Sequence, residues 1–335
     1  MRIPDVSILL PVRNEARHLP DALASLFRQT FASWELVAVD DFSTDGTTEI
    51  LAAAARSDHR VRILPSPGRG LVAALNAGLA ECRAPLVARM DGDDISHPRR
   101  LELQTALLGS EPGLGLVACS FRHFPRHHIR KGMLAYESWQ NNLASHEEII
   151  RDIFVESPFV HPSVMFRKEV VAGVGGYREM GWAEDYDLWL RMAGAGVRFA
   201  RVREPLFFWR ERPERATRNL PEYAREAFRA CKVHHLREGF LKGEREVILA
   251  GAGVEGRGWR RALARAGVSV SLWVDVDPRK IGRTLHGVPV VGTGEVLPGR
   301  GKMLVTVGTP GARGGVREWA HSTGFREGDD FLCVT

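Results

Sequence analysis

Residues 86–98 read LVARMDGDDISHP, and the reading of this stretch decides the fold. A short apolar run, Leu86 to Met90, stops at three carboxylates, Asp91, Asp93 and Asp94, with Gly92 after the first. That pattern predicts a buried strand that delivers an acidic cluster to a strand end. In open α/β sheets, ligands sit beyond the carboxyl ends of the strands. Adjacent carboxylates repel one another unless a cation holds them. The economical cation is a divalent ion with oxygen ligands, Mg²⁺ or Mn²⁺, which completes its shell with substrate phosphates. Asp and Gly also crowd ordinary turns, so a plain turn is the competing reading of this stretch.

The flanking sequence builds a scaffold around it. Val6 to Val12 is a β-branched apolar run that reads as a buried strand, closed by Pro11 and Asn14. Asp21 to Gln29 is helical, with Leu19, Ala22, Leu23, Leu26 and Phe27 at helical spacing. Trp34 to Val39 is a second strand, and it too ends in acid, Asp40 and Asp41. The turn Ser43 to Gly46 can cap a helix over Thr47 to Ala55. A third strand, Val61 to Leu64, a Pro- and Gly-rich loop, Pro65 to Gly70, and a helix, Leu71 to Cys82, lead into Leu86. Strands alternating with helices in this way predict an α/β fold with a mainly parallel, doubly wound sheet. The acids at two strand ends should converge along one edge.

Four blocks now stand in order: VSILLPVRNEARHLPDALASLFRQT, WELVAVDDFSTDGT, ALNAGL, and DGDD followed by HPRRL. Across residues 1–210 they resemble a family 2 glycosyltransferase, which has the A-type nucleotide-diphospho-sugar transferase fold. The resemblance implies an inverting transfer of a sugar from a nucleotide-sugar donor. It places Pro11, Arg13 and Glu15 in the loop that frames the nucleoside, and it makes Asp41 the acid that reads the base. Asp91 and Asp93 match the Asp-x-Asp metal motif, with Asp93 the direct ligand. In SPGRGLVAALNAG this chain departs from relatives, which often carry further Gly and an Arg nearer the middle of the helix; Arg69 is the residue assigned here to the donor phosphates. The roles are physically sound. A carboxylate can accept an N–H from a base edge and discriminate against a base lacking it. A metal on the two phosphates neutralises the charge of the leaving diphosphate. The structural alternative for Asp41 is an N-cap or Asx-turn residue before Ser43.

Downstream, Arg99 to Leu108 reads as a helix and Gly115 to Ser120 as a strand. The basic run RHFPRHHIRK, Arg122 to Lys131, is either an acceptor-side patch for phosphate, such as a lipid-linked pyrophosphate, or a solvated loop or hairpin. Its histidines, His123, His127 and His128, have no carboxylate or Cys beside them in the sequence and do not read as a metal site. Ser145 to Phe154 reads as a helix, followed by FVHPSVMFR. His161 matches a family segment beneath the acceptor site, and its alternative is a satisfied structural histidine. A loop containing Gly173, Gly175, Gly176 and Gly181 precedes EDYDLWLR, where Glu184 and Asp185 open a helix. Acids there also cap amides and suit the helix dipole. The resemblance makes Asp185 the catalytic carboxylate and sets Glu184 and His161 on the acceptor side. One base in hydrogen-bond reach of the acceptor hydroxyl is enough for an inverting transfer.

The remainder divides into a charged helical linker over residues 211–244 and a Rossmann-like α/β domain over residues 245–335. The linker carries Ala224, Ala227, Phe228, Cys231, Leu236 and Phe240 at helical spacing. Being basic, it could rest on an anionic bilayer or simply be solvated. In the last segment Glu246 to Ala250 is a strand, followed by GAGVEG, a helix through Ala266, a strand from Val268 to Val274, and the acid Asp275. Met303 to Val307 adds another strand. This is the order of a dinucleotide-binding βαβ unit, and it resembles small Rossmann-like domains appended to sugar-modifying bacterial enzymes. Gly251, Gly253, Gly256 and Asp275 form its candidate nucleotide loop, or the glycines serve close helix–strand packing alone.

Bulk properties bound the rest. With 335 residues, 44% hydrophobic and 26% charged, the chain is globular and long enough for about two domains. A net charge of +5 suits phosphate-bearing ligands or an anionic membrane surface but is too small to argue for nucleic acid. Four scattered cysteines without a CxxC pair read as reduced thiols of a cytoplasmic protein. The N-terminal apolar run is too short for a signal peptide, and no apolar stretch is long enough to span a bilayer, so membrane contact would be peripheral, at the inner face. The expectation is an inverting, metal-dependent hexosyltransferase. It would move sugar from a nucleotide-sugar donor to a hydroxyl of a glycan or lipid-linked acceptor, in cell-surface polysaccharide synthesis. Two alternatives stay open: an NAD(P)-linked oxidoreductase centred on Gly251 to Gly256, and a non-catalytic nucleotide-sugar binding protein.

Overall fold

The computed structural model describes residues 3–213, 215, 219–309 and 311–335. The chain divides into two compact units. The first comprises Met1–Ile149, Pro158–Met180 and Glu184–Asn219; the second comprises Ile150–Ser157, Gly181–Ala183 and Leu220–Thr335. Residues 211–213, 215 and 219 thus fall in the first unit, while 214 and 216–218 of the expected linker lie outside the described residues.

Through residue 210 the elements are, in order, β1 (Val6–Val12), α1 (Leu19–Phe27), β2 (Trp34–Asp40), α2 (Thr47–Ser57), β3 (Val61–Pro65), α3 (Leu71–Glu81), β4 (Leu86–Arg89), β5 (Ile95–Ser96), α4 (Arg100–Ser110), β6 (Leu114–Phe124), α5 (Lys131–Asn142), α6 (His146–Asp152), β7 (Val164–Arg167), α7 (Lys168–Gly173), α8 (Glu184–Gly194) and β8 (Arg198–Arg210). Among the described residues these strands form an eight-stranded sheet in the order β3-β2-β1-β4-β7-β6-β8-β5. The run β3-β2-β1-β4 is parallel, β7 is antiparallel to both neighbours, and β6 and β8 are parallel. Every residue of β1 is buried, as expected for a strand with both faces covered. Because β1 lies between β2 and β4, the loops at their carboxyl ends share one edge.

The alternation of apolar strands and helices through Arg89 is the pattern read from the sequence. Four later features are not. β6 extends through Phe124, and β8 is a long strand that the sequence reading passed over. Helices α5 and α7 were also unanticipated. The basic run from Arg122 to Lys131 is neither a hairpin nor a plain loop. It comprises the end of β6, a 3₁₀ turn over Arg126–His128 and the start of α5. His123 does have a carboxylate beside it, because Glu137 of α5 accepts its backbone N–H at 2.7 Å and lies 3.0 Å from its Nδ1. Arg126 completes that pair through Glu137, which makes the cluster a structural knot.

In the second unit α9 (Arg225–Glu238) precedes β9 (Glu246–Ala250), α10 (Val254–Arg265), β10 (Ser269–Val274), β11 (Thr284–Leu285), β12 (Val288–Val291), β13 (Met303–Val305), α11 (Ala312–Ser322) and β14 (Phe331–Cys333). Its sheet runs β11-β12-β10-β9-β13-β14, parallel apart from the β11–β12 pair. The chain order reverses at β9, where a doubly wound sheet opens its crevice. A Cβ on Gly256 would lie 1.9 Å from the Gly251 carbonyl oxygen, so α10 can approach β9 only with glycine there. Gly256→Ala is therefore expected to destabilise this unit by about 2 kcal/mol. Faster hydrogen exchange of the β9 and α10 amides would register it, and unchanged exchange would contradict it.

All four cysteines are buried, and none is in a disulfide. Among the described residues no helix is long and apolar enough to cross a membrane.

Candidate active site

The acidic cluster is assembled by close packing. Gly92 lets the turn after β4 press against the loop after β1, since a Cβ there would come within 3.0 Å of Val12 and 3.4 Å of Glu15. Asp91, Asp93 and Asp94 each bring a carboxylate oxygen within 4.8 Å of the others. Burial first, and then the Asp91 charge, pushes the Asp93 carboxyl up. Asp94 is fully buried, and burial together with Asp93 and Asp91 holds its carboxyl well above the ordinary range. Asp94 Oδ1 accepts the backbone N–H of Arg210 at 2.7 Å and so ties the acidic turn to the end of β8.

Two arginines from that end reach the acids. Arg210 donates through Nε to the Asp93 carbonyl at 2.6 Å. Arg212 pairs through Nε with Asp93 Oδ2 at 2.9 Å and also contacts the Glu15 carboxylate. Glu15 is pushed up to about 7 by burial and by Asp93, with Arg212 opposing.

One flank of the site lies at the ends of β1 and β2. Of the two acids closing β2, Asp40 is structural: it accepts from the Ser43 amide at 3.1 Å and the Thr48 hydroxyl at 2.5 Å. Asp41 is buried, and both its oxygens accept the Gly70 N–H at 3.1 Å, just ahead of α3. Arg13 stands 3.7 Å from Asp41, and Pro11 is buried within β1 opposite Val39. Arg69 is exposed, with its guanidinium 5.3 Å from the ring centre of Phe42, whose φ of +56° turns it out beside Asp41. Arg69 thus stands beside Asp41 at the carboxyl end of β2.

On the other flank α8 presents Glu184 and Asp185. The preceding loop is clamped from two sides. Asn76 of α3 exchanges two hydrogen bonds with the Tyr177 backbone, at 2.9 and 3.0 Å. Arg191 of α8 donates to the Val174 and Gly176 carbonyls at 2.6 and 2.7 Å. Asp185 Oδ1 accepts the Tyr186 N–H at 2.7 Å. Burial, with the adjacent Glu184 charge, pushes the Asp185 carboxyl well up. His161 is buried between Tyr177, whose hydroxyl lies 2.9 Å from Nε2, and Glu184, 3.4 Å from Nδ1. Burial and then Arg89 lower its pKa, which favours the neutral ring beside Glu184.

Arg89, the last residue of β4, joins the two halves. Its side chain is 2% exposed and pairs with Asp91 at 2.6 Å. Its charge also reaches Glu184, Tyr177, His161 and Asp185. Arg100 of α4 fixes the strand end by donating to the Arg89 carbonyl at 2.8 Å. Sequence reading missed Arg89, Arg212 and Tyr177. A visible signal existed for Arg89, a lone cation inside the apolar run LVARM. Arg212 had none, because it follows a strand that was not anticipated.

The cluster fits a divalent ion. Its donors are all carboxylate oxygens, which suit Mg²⁺ or Mn²⁺, and burial leaves them mutually repelling. In the second unit Gly251 adopts φ +111° and Gly256 is needed for packing, whereas Gly253 has ordinary φ and open space beside its Cα. Asp275 is occupied: it accepts from the Ala252 and Asp277 amides at 2.9 Å and pairs with Lys280 at 2.8 Å.

Several known proteins are similar to this chain. The amylovoran biosynthesis glycosyltransferase AmsE of Erwinia amylovora is 33% identical over 193 residues, 57% of this chain and 70% of that one. A UDP-Gal:alpha-D-GlcNAc-diphosphoundecaprenol beta-1,3-galactosyltransferase of Escherichia coli is 28% identical over 249 residues, 73% of this chain and 88% of that one. The crystal structure of S. aureus TarS with UDP-GlcNAc superposes with a TM-score of 0.58 at 16% identity, covering 78% of this chain and 71% of that one, and so shares the fold. The model of the family described as glycosyl transferase family 2 matches residues 7–175, and the chain belongs to that family of glycosyltransferases.

Proposed function

We propose that this glycosyltransferase catalyses an inverting, metal-dependent transfer from a nucleotide-sugar donor to a hydroxyl of a glycan or lipid-linked acceptor in cell-surface polysaccharide assembly. The observation that carries the reading is the division of the acids. Asp91, Asp93 and Asp94 cluster after β4, while Asp185 stands apart on α8 with Arg89 between the two sets of charges.

In this reading Asp41 accepts an N–H of the base, and Arg13 and Pro11 frame the nucleoside. Asp93 and Asp91 would hold a divalent ion, which when bound supplies Lewis-acid neutralisation of the leaving diphosphate. Asp185 takes the proton of the acceptor hydroxyl as its oxygen attacks the anomeric carbon from the face opposite the leaving group. Glu184, held by His161, lines the acceptor side. A lipid-linked acceptor is supported by the E. coli relative, whose name specifies a diphosphoundecaprenol-linked sugar. That acceptor would place the enzyme peripherally at the inner membrane face.

We assign residues 245–335 as a Rossmann-like appendage, supported by the parallel sheet that reverses order at β9. The oxidoreductase reading is less well supported, because Asp275, the acid that would bind a ribose, is already held by Lys280 and two amides.

The test is release of nucleoside diphosphate from UDP- and GDP-sugars with an undecaprenyl-diphosphate-linked acceptor and Mn²⁺. Asp93→Ala is expected to reduce release at least about a hundredfold. Turnover indifferent to both EDTA and Asp93→Ala would defeat the metal reading, and retained anomeric configuration in the product would defeat inversion.

A further inference from the structure

Three arginines follow one another at the end of β8, and two of them are committed. Arg210 binds the Asp93 carbonyl, donates its amide to Asp94 and lies over the Phe124 ring at 4.5 Å. Arg215 stacks on Trp209 at 3.6 Å and pairs with Glu211 at 3.2 Å. Arg212 differs: its ion-pair partners among the described residues are Glu15 and Asp93, both acids of the site. Its Nε rests 2.9 Å from Asp93 Oδ2, an oxygen of the carboxylate assigned above as the direct metal ligand.

Two cations cannot share that carboxylate without mutual repulsion. A guanidinium also has a second natural partner in this reaction, since its planar fork matches a diphosphate bidentately. We propose that Arg212 is an exchange cation. It holds Asp93 and Glu15 until donor arrives, then transfers to the donor diphosphate and releases Asp93 for the metal. The inference rests on the metal and donor reading of the previous section and adds to it an order: metal and diphosphate must bind with strong mutual reinforcement. The structure supplies both requirements, a cation placed on the ligand and a side chain whose ion-pair partners among the described residues are those two acids alone. By linkage, metal tightens diphosphate by the same factor as diphosphate tightens metal.

The test uses the full-length chain and binding alone. Mn²⁺ is titrated by the loss of its free-ion EPR signal, without nucleotide, against wild type, Arg212→Gln, Arg212→Lys and Asp93→Asn. UDP or GDP, whichever the wild type holds more tightly, is then titrated by calorimetry with and without saturating Mn²⁺. Arg212→Gln is expected to bind Mn²⁺ alone roughly tenfold more tightly. The factor by which Mn²⁺ tightens the nucleotide should fall by roughly tenfold in the same variant. Arg212→Lys, which keeps the charge but not the fork, should hold Mn²⁺ as weakly as wild type and recover only part of the reinforcement. A passive surface charge would change Mn²⁺ affinity without changing that reinforcement. The inference is overturned if Arg212→Gln leaves Mn²⁺ affinity unchanged or weaker, or leaves the reinforcement intact. Persistent Mn²⁺ binding in Asp93→Asn would instead overturn the metal assignment beneath it, so the two failures are told apart.

Discussion

Asp185→Asn is expected to lower the transfer rate about a thousandfold while leaving the fold intact. Asn retains the oxygen that accepts the Tyr186 N–H at 2.7 Å, so the first turn of α8 keeps its geometry and only the proton acceptor is lost. The pH behaviour carries the sign. Burial and Glu184 push the Asp185 carboxyl up, so the protonated, inactive form persists above the ordinary carboxylate range. The deprotonated base grows in as pH rises, and kcat/KM should climb along an acidic limb set by that group. The residual activity of the Asn variant should lack that limb. Stability runs the other way. A carboxyl whose folded pKa is raised contributes stability below its unfolded pKa and loses it as pH rises through the folded value. The variant should therefore be at least as stable as wild type at mildly alkaline pH. Steady-state rates against pH, with urea unfolding of both proteins, check both halves; a normal rate in the variant removes Asp185 from the chemistry.

Arg89→Met is expected to cost about 3 kcal/mol or more of stability and to abolish useful activity. The guanidinium is almost wholly enclosed and is the cation nearest Asp91, and its field also reaches Glu184, Tyr177 and Asp185. Met fills similar volume, so the loss would measure charge rather than a cavity. Removing this buried cation leaves the acids around it, Asp91 and Glu184 among them, uncompensated, which costs more than the Arg89–Asp91 pair itself contributes. Restoring balance should therefore rescue: Arg89→Met combined with Asp91→Asn is expected to regain a good part of the lost stability but none of the activity. Urea midpoints of the two single variants and the double variant form the cycle. Strict additivity would show that Arg89 and Asp91 are not coupled.

The parallel half of the first sheet was legible because its strands are apolar on both faces and stop at acids and turns. The other half, β7, β6, β8 and β5, was legible only in part. β8 reads RFARVREPLFFWR, whose arginines break the apolar pattern. Yet Arg201 is buried there, donating to the carbonyls of Leu143, Cys119 and Pro158 at 2.8, 3.0 and 2.6 Å. A buried guanidinium satisfied by carbonyls scattered along the chain leaves no periodic trace. Helix α5 hid for a related reason, because its buried residues are Glu137 and Gln140 rather than leucines. At the site the acids stood out in the sequence by type and position. Arg210 and Arg212 did not, since each acts on residues far away in the chain.

That distance has a consequence for how the enzyme comes into being. Arg212 meets Glu15 across 197 residues, and the Arg210 amide meets Asp94 across 116. As the chain leaves the ribosome, β1 to β4 emerge with Glu15, Asp91, Asp93 and Asp94 already crowded by topology but still without either arginine. Such non-local closures are late events in folding. The nascent domain therefore carries an electrostatically strained rim until β8 has docked, and the segment that relieves it is among the last of this unit to be synthesised. Products truncated before Arg210 would keep the strain, which makes the completed rim a mark of a finished first unit.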